Sequence, residues 1–307
     1  MNRVYENSIK PNFFIVGAAK AGTTSIEKLL RNHPDIYISP IKEPNYFCDD
    51  IRKMIEAESS RQQKGLTFES VLLKAKKKSV HMFNVTNQND YEKLFLEAKN
   101  KKAVGECSTF YLPSKVAAKN IFNYNPNAKI IIITRNPFDR IISHYDMDIR
   151  IGITREKLKV LLEHEVSLGE QANYENSRFY LGASNYENQI NEYQRYFSEK
   201  NVLILTFEDL INSQKNTIKN LLNFLELETS KIDLKLSKEN EAKTAKYELL
   251  NYILYKTSIK SFILNNLAGI MPQGLKNKLK EFFFTDIKKS NVSTEDIEYL
   301  NEILRNN

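Results

Sequence analysis

The sequence predicts an α/β fold: a central parallel β-sheet flanked by helices, with a mostly helical C-terminal extension. Three observations predict it. Short β-rich runs alternate with longer helical patterns, the arrangement of βαβ units. The runs are continuously apolar rather than alternating, as suits strands buried on both faces of a parallel sheet. Beyond Lys231 the pattern turns mostly helical, broken by Pro272 and Gly274. With no internal repeat and no low-complexity linker, the 307 residues read as one domain, with a core over 11–227 and the helical extension over 231–307.

The strand-like runs are 13–16, 129–134 and 202–207, with a weaker run at 103–105 and a short one at 36–38. Helical patterns cover 24–32, 68–78, 91–99, 113–123, 137–149, 185–197 and 218–225. The first of these starts directly from a glycine-containing loop, which aims a helix N-terminus where a phosphate could sit. Residues 49–80 read as an insertion, and the lysines bunched near its end (Lys74, Lys76, Lys77, Lys78) read as a solvated helix face.

A chain with 41% hydrophobic and 27% charged residues is an ordinary globular protein with a proper core. The net charge of +7 suits an anionic partner without choosing among nucleotide, nucleic acid, acidic glycan and membrane surface. Two cysteines, Cys48 and Cys107, make neither a disulfide framework nor a metal site, and fit a reducing compartment. Residues 1–10 are polar and lack the apolar core of a signal peptide. No stretch approaches the roughly 18 apolar residues of a membrane span. The expectation is a soluble, cytoplasmic protein. Aromatic residues and lysines over 252–284 line a cleft, touch a membrane surface peripherally, or simply pack as helices on the domain.

Gly17-Ala18-Ala19-Lys20-Ala21-Gly22-Thr23-Thr24 follows a strand and precedes a helix. Small residues let the backbone wrap a phosphate, and the helix N-terminus supplies amide donors. The loop approximates the G-x-x-x-x-G-K-[ST] motif of nucleoside triphosphatases but has Thr23 where the lysine belongs. The cation sits three residues earlier, at Lys20. That displacement argues against bridging β- and γ-phosphates and for a shorter anion.

Lys20 to Thr24 resembles the 5′-phosphosulfate loop of the sulfotransferases that use PAPS (3′-phosphoadenosine 5′-phosphosulfate), bacterial members and Golgi carbohydrate (heparan sulfate) enzymes above all. The resemblance implies a P-loop-like parallel sheet and a donor bound through Lys20, Ala21, Gly22, Thr23, Thr24 and Ser25 without an obligatory metal. Lys20 would steady the leaving phosphate oxygen, the kind of charge stabilisation that is often the largest catalytic contribution.

The run 129–134 delivers Arg135 to the C-terminal edge of the sheet, where open α/β sheets bind ligands. Pro137 is tolerated in the first turn of the helix that follows, and Ser143 lies within it. In the family, an arginine after this strand and a serine eight residues later bind the donor's 3′-phosphate; Arg135 and Ser143 match both positions.

A hydroxyl or amine acceptor must lose a proton as it attacks, so a general base is expected. The Golgi-type enzymes carry a glutamate base in an E-x-x-[FY]-F pattern, which implies Glu43 here, within Lys42-Glu43-Pro44-Asn45-Tyr46-Phe47. Asn45 stands where many relatives have histidine. Residues 105–111 resemble the family's G-E-K-[ST]-P-x-Y segment beside the acceptor, with Cys107 for the lysine and Thr109 for the proline. Lys42, Asn45, Cys107 and Ser108 are the candidate acceptor-side residues, and Cys107 is expected buried and inert. His144 is a poor base candidate and His33 reads as a helix-end residue. Residues 238–246 are a candidate loop over adenine.

The resemblance implies in-line transfer to a carbohydrate hydroxyl, leaving adenosine 3′,5′-bisphosphate. A lipid, sterol or phenolic alcohol is the alternative acceptor, and a nucleic acid is not expected as a partner. A magnesium-dependent P-loop kinase and a non-catalytic polyanion-binding protein are the competing readings.

Overall fold

A computed structural model describes residues 9–56, 63, 65–231, 233, 244–245, 284–285 and 292–306. In chain order the elements begin β1 (Phe13–Gly17), α1 (Thr23–Arg31), β2 (Ile36–Ile38), β3 (Ile41–Lys42), α2 (Asp49–Met54) and α3 (Phe68–Lys77). Next come β4 (Val80–His81), α4 (Gln88–Lys93), β5 (Ala103–Cys107), α5 (Ala117–Tyr124), β6 (Lys129–Thr134), α6 (Pro137–Ile151) and α7 (Leu158–Leu168). The rest are α8 (Tyr186–Tyr196), β7 (Val202–Thr206), α9 (Phe207–Asn212), α10 (Gln214–Phe224), β8 (Thr244–Ala245), β9 (Phe284–Thr285) and α11 (Thr294–Asn306). Two compact units result, one of Met1–Met54, Gly65–Asn136 and Asn185–Ser237, the other of Ile55–Lys64, Pro137–Ser184 and Lys238–Asn307.

The first unit holds a five-stranded sheet in the order β2-β5-β1-β6-β7, with every pairing parallel. Its centre is dry: all five residues of β1 and of β5 are buried, as are Ile130 to Ile133 of β6. This is the continuous apolar signature of a strand covered on both faces. Gly105 makes the β1–β5 approach possible, because a Cβ there would overlap the Phe13 carbonyl oxygen and ring. A second, two-stranded parallel sheet pairs β3 with β4, setting Lys42 opposite His81.

Side-chain caps explain where helices depart from the sequence pattern. Asn87 accepts the Asp90 amide and starts α4 a turn ahead of the expected 91. Ser114 accepts the amides of Val116 and Ala117, so α5 begins at Ala117 and not at 113. Thr206 accepts the Asp209 amide, ending β7 and opening α9 within what read as one strand. α3 matches its pattern, closed by a reciprocal cap between Thr67 and Ser70, and Lys74, Lys76, Lys77 and Lys78 are exposed as expected.

In the second unit α6, α7 and α11 bury Ile141, Tyr145, Ile149, Leu158, Leu162, Leu300 and Ile303 together with Tyr180. A fully buried Arg140 donates to Ser184 Oγ and to the Tyr180 carbonyl, each at 2.6 Å. Asp148, also buried, accepts from Tyr180 Oη at 2.8 Å and Arg178 Nε at 3.0 Å. α11 gives the C-terminal extension its helix; the expected adenine loop at 238–246 and the aromatic stretch at 252–284 lie, apart from the strand residues of β8 and β9, outside the described residues. No helix among the described residues is long and apolar enough to cross a membrane.

Candidate active site

The C-terminal ends of β1, β5 and β6 are neighbours in the sheet, so the segments that leave them meet at one edge. From β1 the chain enters the glycine loop, with Lys20 at φ 70° and Gly22 at φ 89°, both left-handed. A side chain at Gly22 would be strained by that φ, and its Cβ would also come to 3.0 Å from the Phe207 ring. α1 then starts with no side-chain cap and no acidic residue in its first turn. Its leading amides and positive end are therefore left to an anion.

Arg135, leaving β6, lies against the same loop. Its Nη1 donates to the Lys20 carbonyl at 3.1 Å, and its guanidinium carbon sits 4.6 Å from the centre of the Phe207 ring. Its Nε is buried and has no hydrogen-bond partner among the described residues. An orphaned guanidinium donor beside an uncapped helix N-terminus fits a phosphate-bearing ligand. Phe207, the first residue of α9, braces both Arg135 and Gly22, and sequence reasoning had passed over it. The signal was there only as an aromatic at the end of a strand.

Glu43 follows β3 and is bound to the end of β5 by its own amide, which donates to the Cys107 carbonyl at 2.8 Å. The side chain is buried, not the solvated surface that a glutamate beside a lysine suggests. Three groups converge on Oε1: Lys42 Nζ at 2.9 Å, Thr109 Oγ1 at 3.3 Å and His81 Nε2 at 3.6 Å. No hydrogen bond from the described residues reaches Oε2. Burial opposes the charge on Glu43, but the Lys42 ammonium, helped by His81, outweighs it and holds the carboxyl well below the usual carboxylate range. Burial also opposes the charge on Lys42, and Glu43 outweighs it in turn, raising the ammonium above its ordinary value. Glu43 is thus a fixed carboxylate with one oxygen anchored and the other available.

The loop after Glu43 is held in a left-handed path, with Glu43 at φ 61° and Asn45 at φ 52°. Such backbone costs on the order of 1 kcal/mol or more per residue and persists only where its surroundings impose it. Here the surroundings are visible. The Asn45 amide donates to Ser108 Oγ at 3.2 Å, and the amides of Tyr46 and Phe47 donate to Tyr111 Oη at 3.0 and 3.3 Å. Behind them stands Glu106, fully buried, which accepts from Ser108 Oγ at 2.6 Å, Tyr111 Oη at 2.7 Å and Tyr91 Oη at 2.9 Å. Burial pushes the Glu106 carboxyl up to about 7 against the pull of those three hydroxyls.

Lys42, Asn45, Cys107 and Ser108, the expected acceptor-side residues, are all buried around this loop. The Asn45 side chain donates to Asn84 Oδ1 at 3.0 Å, while its own Oδ1 is buried without a partner among the described residues. Burial pushes the Cys107 thiol up to about 12 despite Lys42, the inert state expected of it. Ser143 lies half-buried in α6, in the second unit. His144 is buried in the same helix, 3.4 Å from Arg140 Nη1 and 3.8 Å from Asp148. His33 closes the end of α1: its Nδ1 accepts the Asp35 amide and its Nε2 lies 3.0 Å from the Glu228 carbonyl.

Comparison with known proteins adds a family to this geometry. The family model described as "Sulfotransferase family" matches residues 11–231. The membrane-associated sulfotransferase kil1 of Dictyostelium discoideum is 26% identical over 140 residues, 46% of this chain and 23% of that protein. Carbohydrate sulfotransferase 15 of Mus musculus is 23% identical over 253 residues, 71% of this chain and 44% of that protein. The chain thus spans less than half the length of these curated relatives. A crystal structure of a sulfotransferase from Alicyclobacillus acidocaldarius shares 27% identity and a TM-score of 0.58, over 83% of this chain and 96% of that one. With the match running from before β1 to beyond α10, the chain belongs to the sulfotransferase family.

Proposed function

We propose that the protein transfers a sulfuryl group from PAPS to a hydroxyl of a carbohydrate acceptor. The observation that carries this reading is the order β5-β1-β6: it sets the Glu43 anchor and Arg135 on either side of the strand that bears the phosphate loop. A base anchored to β5 and a phosphate-binding cation leaving β6 therefore flank one anion site at the end of β1.

PAPS supplies the activated sulfuryl group when bound. Lys20 and the α1 amides meet the charge that develops on the departing phosphate. Arg135 holds the 3′-phosphate through its fork of donors, with Ser143 assigned to that phosphate by the sequence pattern. Glu43 takes the acceptor's proton at Oε2, the oxygen that its neighbours leave open. Its low basicity suits a proton that moves as the new O–S bond forms, not before. The pair of free, buried cysteines accords with an enzyme of a reducing, cytoplasmic compartment. We treat residues 1–307 as one catalytic domain with its core over 11–227.

Labelled PAPS offered with pools of glycans, phenols and sterols tests the reading. Label is expected in the glycan pool, with adenosine 3′,5′-bisphosphate released. Label in the phenol or sterol pool would reassign the acceptor, and release from no pool would overturn the activity. In the same assay Glu43→Gln should lower turnover by about 10²–10⁴-fold, the usual worth of a general base, and leave adenosine 3′,5′-bisphosphate binding intact. Turnover at the wild-type level would remove Glu43 from the mechanism.

A further inference from the structure

A base has to shed the proton it gains before it can act again. Of the three groups on Glu43 Oε1, neither the Lys42 ammonium nor the Thr109 hydroxyl can accept one. The third can. His81 Nε2 lies 3.6 Å from Oε1, and its side chain is 62% exposed while that of Glu43 is 7% exposed. A ring nitrogen of an imidazole can take up a proton and release it again.

The backbone holds the imidazole there. His81 pairs in register with Lys42, the residue before Glu43. The Val80 amide donates to the Pro40 carbonyl at 3.1 Å and the Met82 amide to the Lys42 carbonyl at 2.7 Å, bracketing His81 on both sides. The other charged or titratable groups facing this pair are Lys42 on β3, Cys107 and Glu106 on β5, and Glu27 on α1. All of these are buried. His81 alone of this set connects the carboxylate to water.

We propose that His81 is a positioning and relay residue through which Glu43 returns the acceptor's proton to solvent. This rests on Glu43 acting as the base. As the acceptor oxygen bonds to sulfur and the bond from sulfur to the departing phosphate breaks, the hydroxyl proton passes to the Glu43 carboxylate. Once neutral, the carboxyl loses the attraction of Lys42 and turns about its Cγ–Cδ bond, presenting the proton gained at Oε2 to the lone pair on Nε2 of the imidazole. The imidazolium releases it to water, and both side chains are restored.

The test is His81→Ala and His81→Gln, assayed with PAPS and the mixed glycan pool by release of adenosine 3′,5′-bisphosphate. Both variants are expected to lose about tenfold or more in kcat, toward the lower end of what proton-transfer groups contribute, with KM for PAPS unchanged. Added imidazole should restore turnover to His81→Ala, because the site opens to solvent. A merely structural histidine would show no such rescue. Wild-type kcat in both variants, or a lowered kcat that imidazole leaves unmoved, overturns the relay. Glu43→Gln run alongside separates the two levels. Its failure to slow turnover overturns the base and the relay together, whereas an inactive Glu43→Gln beside a fully active His81→Ala overturns the relay alone.

Discussion

Glu43 and Glu106 are two buried carboxyls on neighbouring segments whose surroundings drive them in opposite directions. Glu43 has a lysine at 2.9 Å and stays charged. Among the described residues Glu106 has only hydroxyl donors, and burial lifts it to about 7. The consequence for stability has a definite sign. A carboxyl raised in the folded state binds its proton more tightly there than in the unfolded chain, where it titrates near ~4.3. Its contribution is therefore fully present below about 4.3 and is lost as pH rises through about 7. Glu106→Gln should flatten that part of the stability curve in urea titrations run across this window. An unchanged slope would mean that Glu106 is not the group responsible. None of this was legible in the sequence, because the hydroxyls that surround Glu106 come from Tyr91, Ser108 and Tyr111 and their convergence is tertiary. Glu43 was legible only as a member of a pattern; its burial and its anchored oxygen were not.

At the level of elements, the strand, loop and helix from β1 to α1 stand where the sequence placed them because their signal is local. Glycines, a lysine and a strand-to-helix change all fall within a few residues. What braces the loop is not local. Phe207 arrives at the start of α9 and supports Gly22 and Arg135 from below. Phe207→Leu keeps the apolar contact and removes the ring face, an interaction worth about 0.5–2 kcal/mol. Calorimetry should show adenosine 3′,5′-bisphosphate binding weakened by roughly 2–30-fold, the same energy expressed as a ratio. Undiminished affinity would show that Arg135 is held without the ring. The two-residue strands β3 and β4 also escaped the sequence pattern. Their pairing is too short for periodicity to register, yet it places Lys42, Glu43 and His81 together.

At the level of the whole molecule, the parallel sheet and its buried central strands follow from apolar runs that need no tertiary information. The strand order does not. Gly105 is the residue on which that order presses hardest, since β5 must lie against β1 with nothing between the backbone and Phe13. Gly105→Ala should lower stability by about 1–3 kcal/mol or more, the usual cost of overpacking, and lower the melting temperature accordingly. A melting temperature within error of the wild type would show that the strands can separate without cost. The grouping of Pro137–Ser184 with the C-terminal helix was not legible either, because it rests on contacts between segments far apart in the sequence.

The sheet order also imposes a schedule on synthesis. Phe13 in β1 pairs with Gly105 on one side and Lys129 on the other, so the first strand made finds its neighbours only after a long stretch of chain has left the ribosome. Until then a fully apolar strand and the loop it carries have nothing to rest on, and such distant pairings form slowly. Nascent chains halted before β6 would expose β1 to other molecules. The loop that β1 carries is made well before the strands that flank it, and it can take its final form only when they arrive.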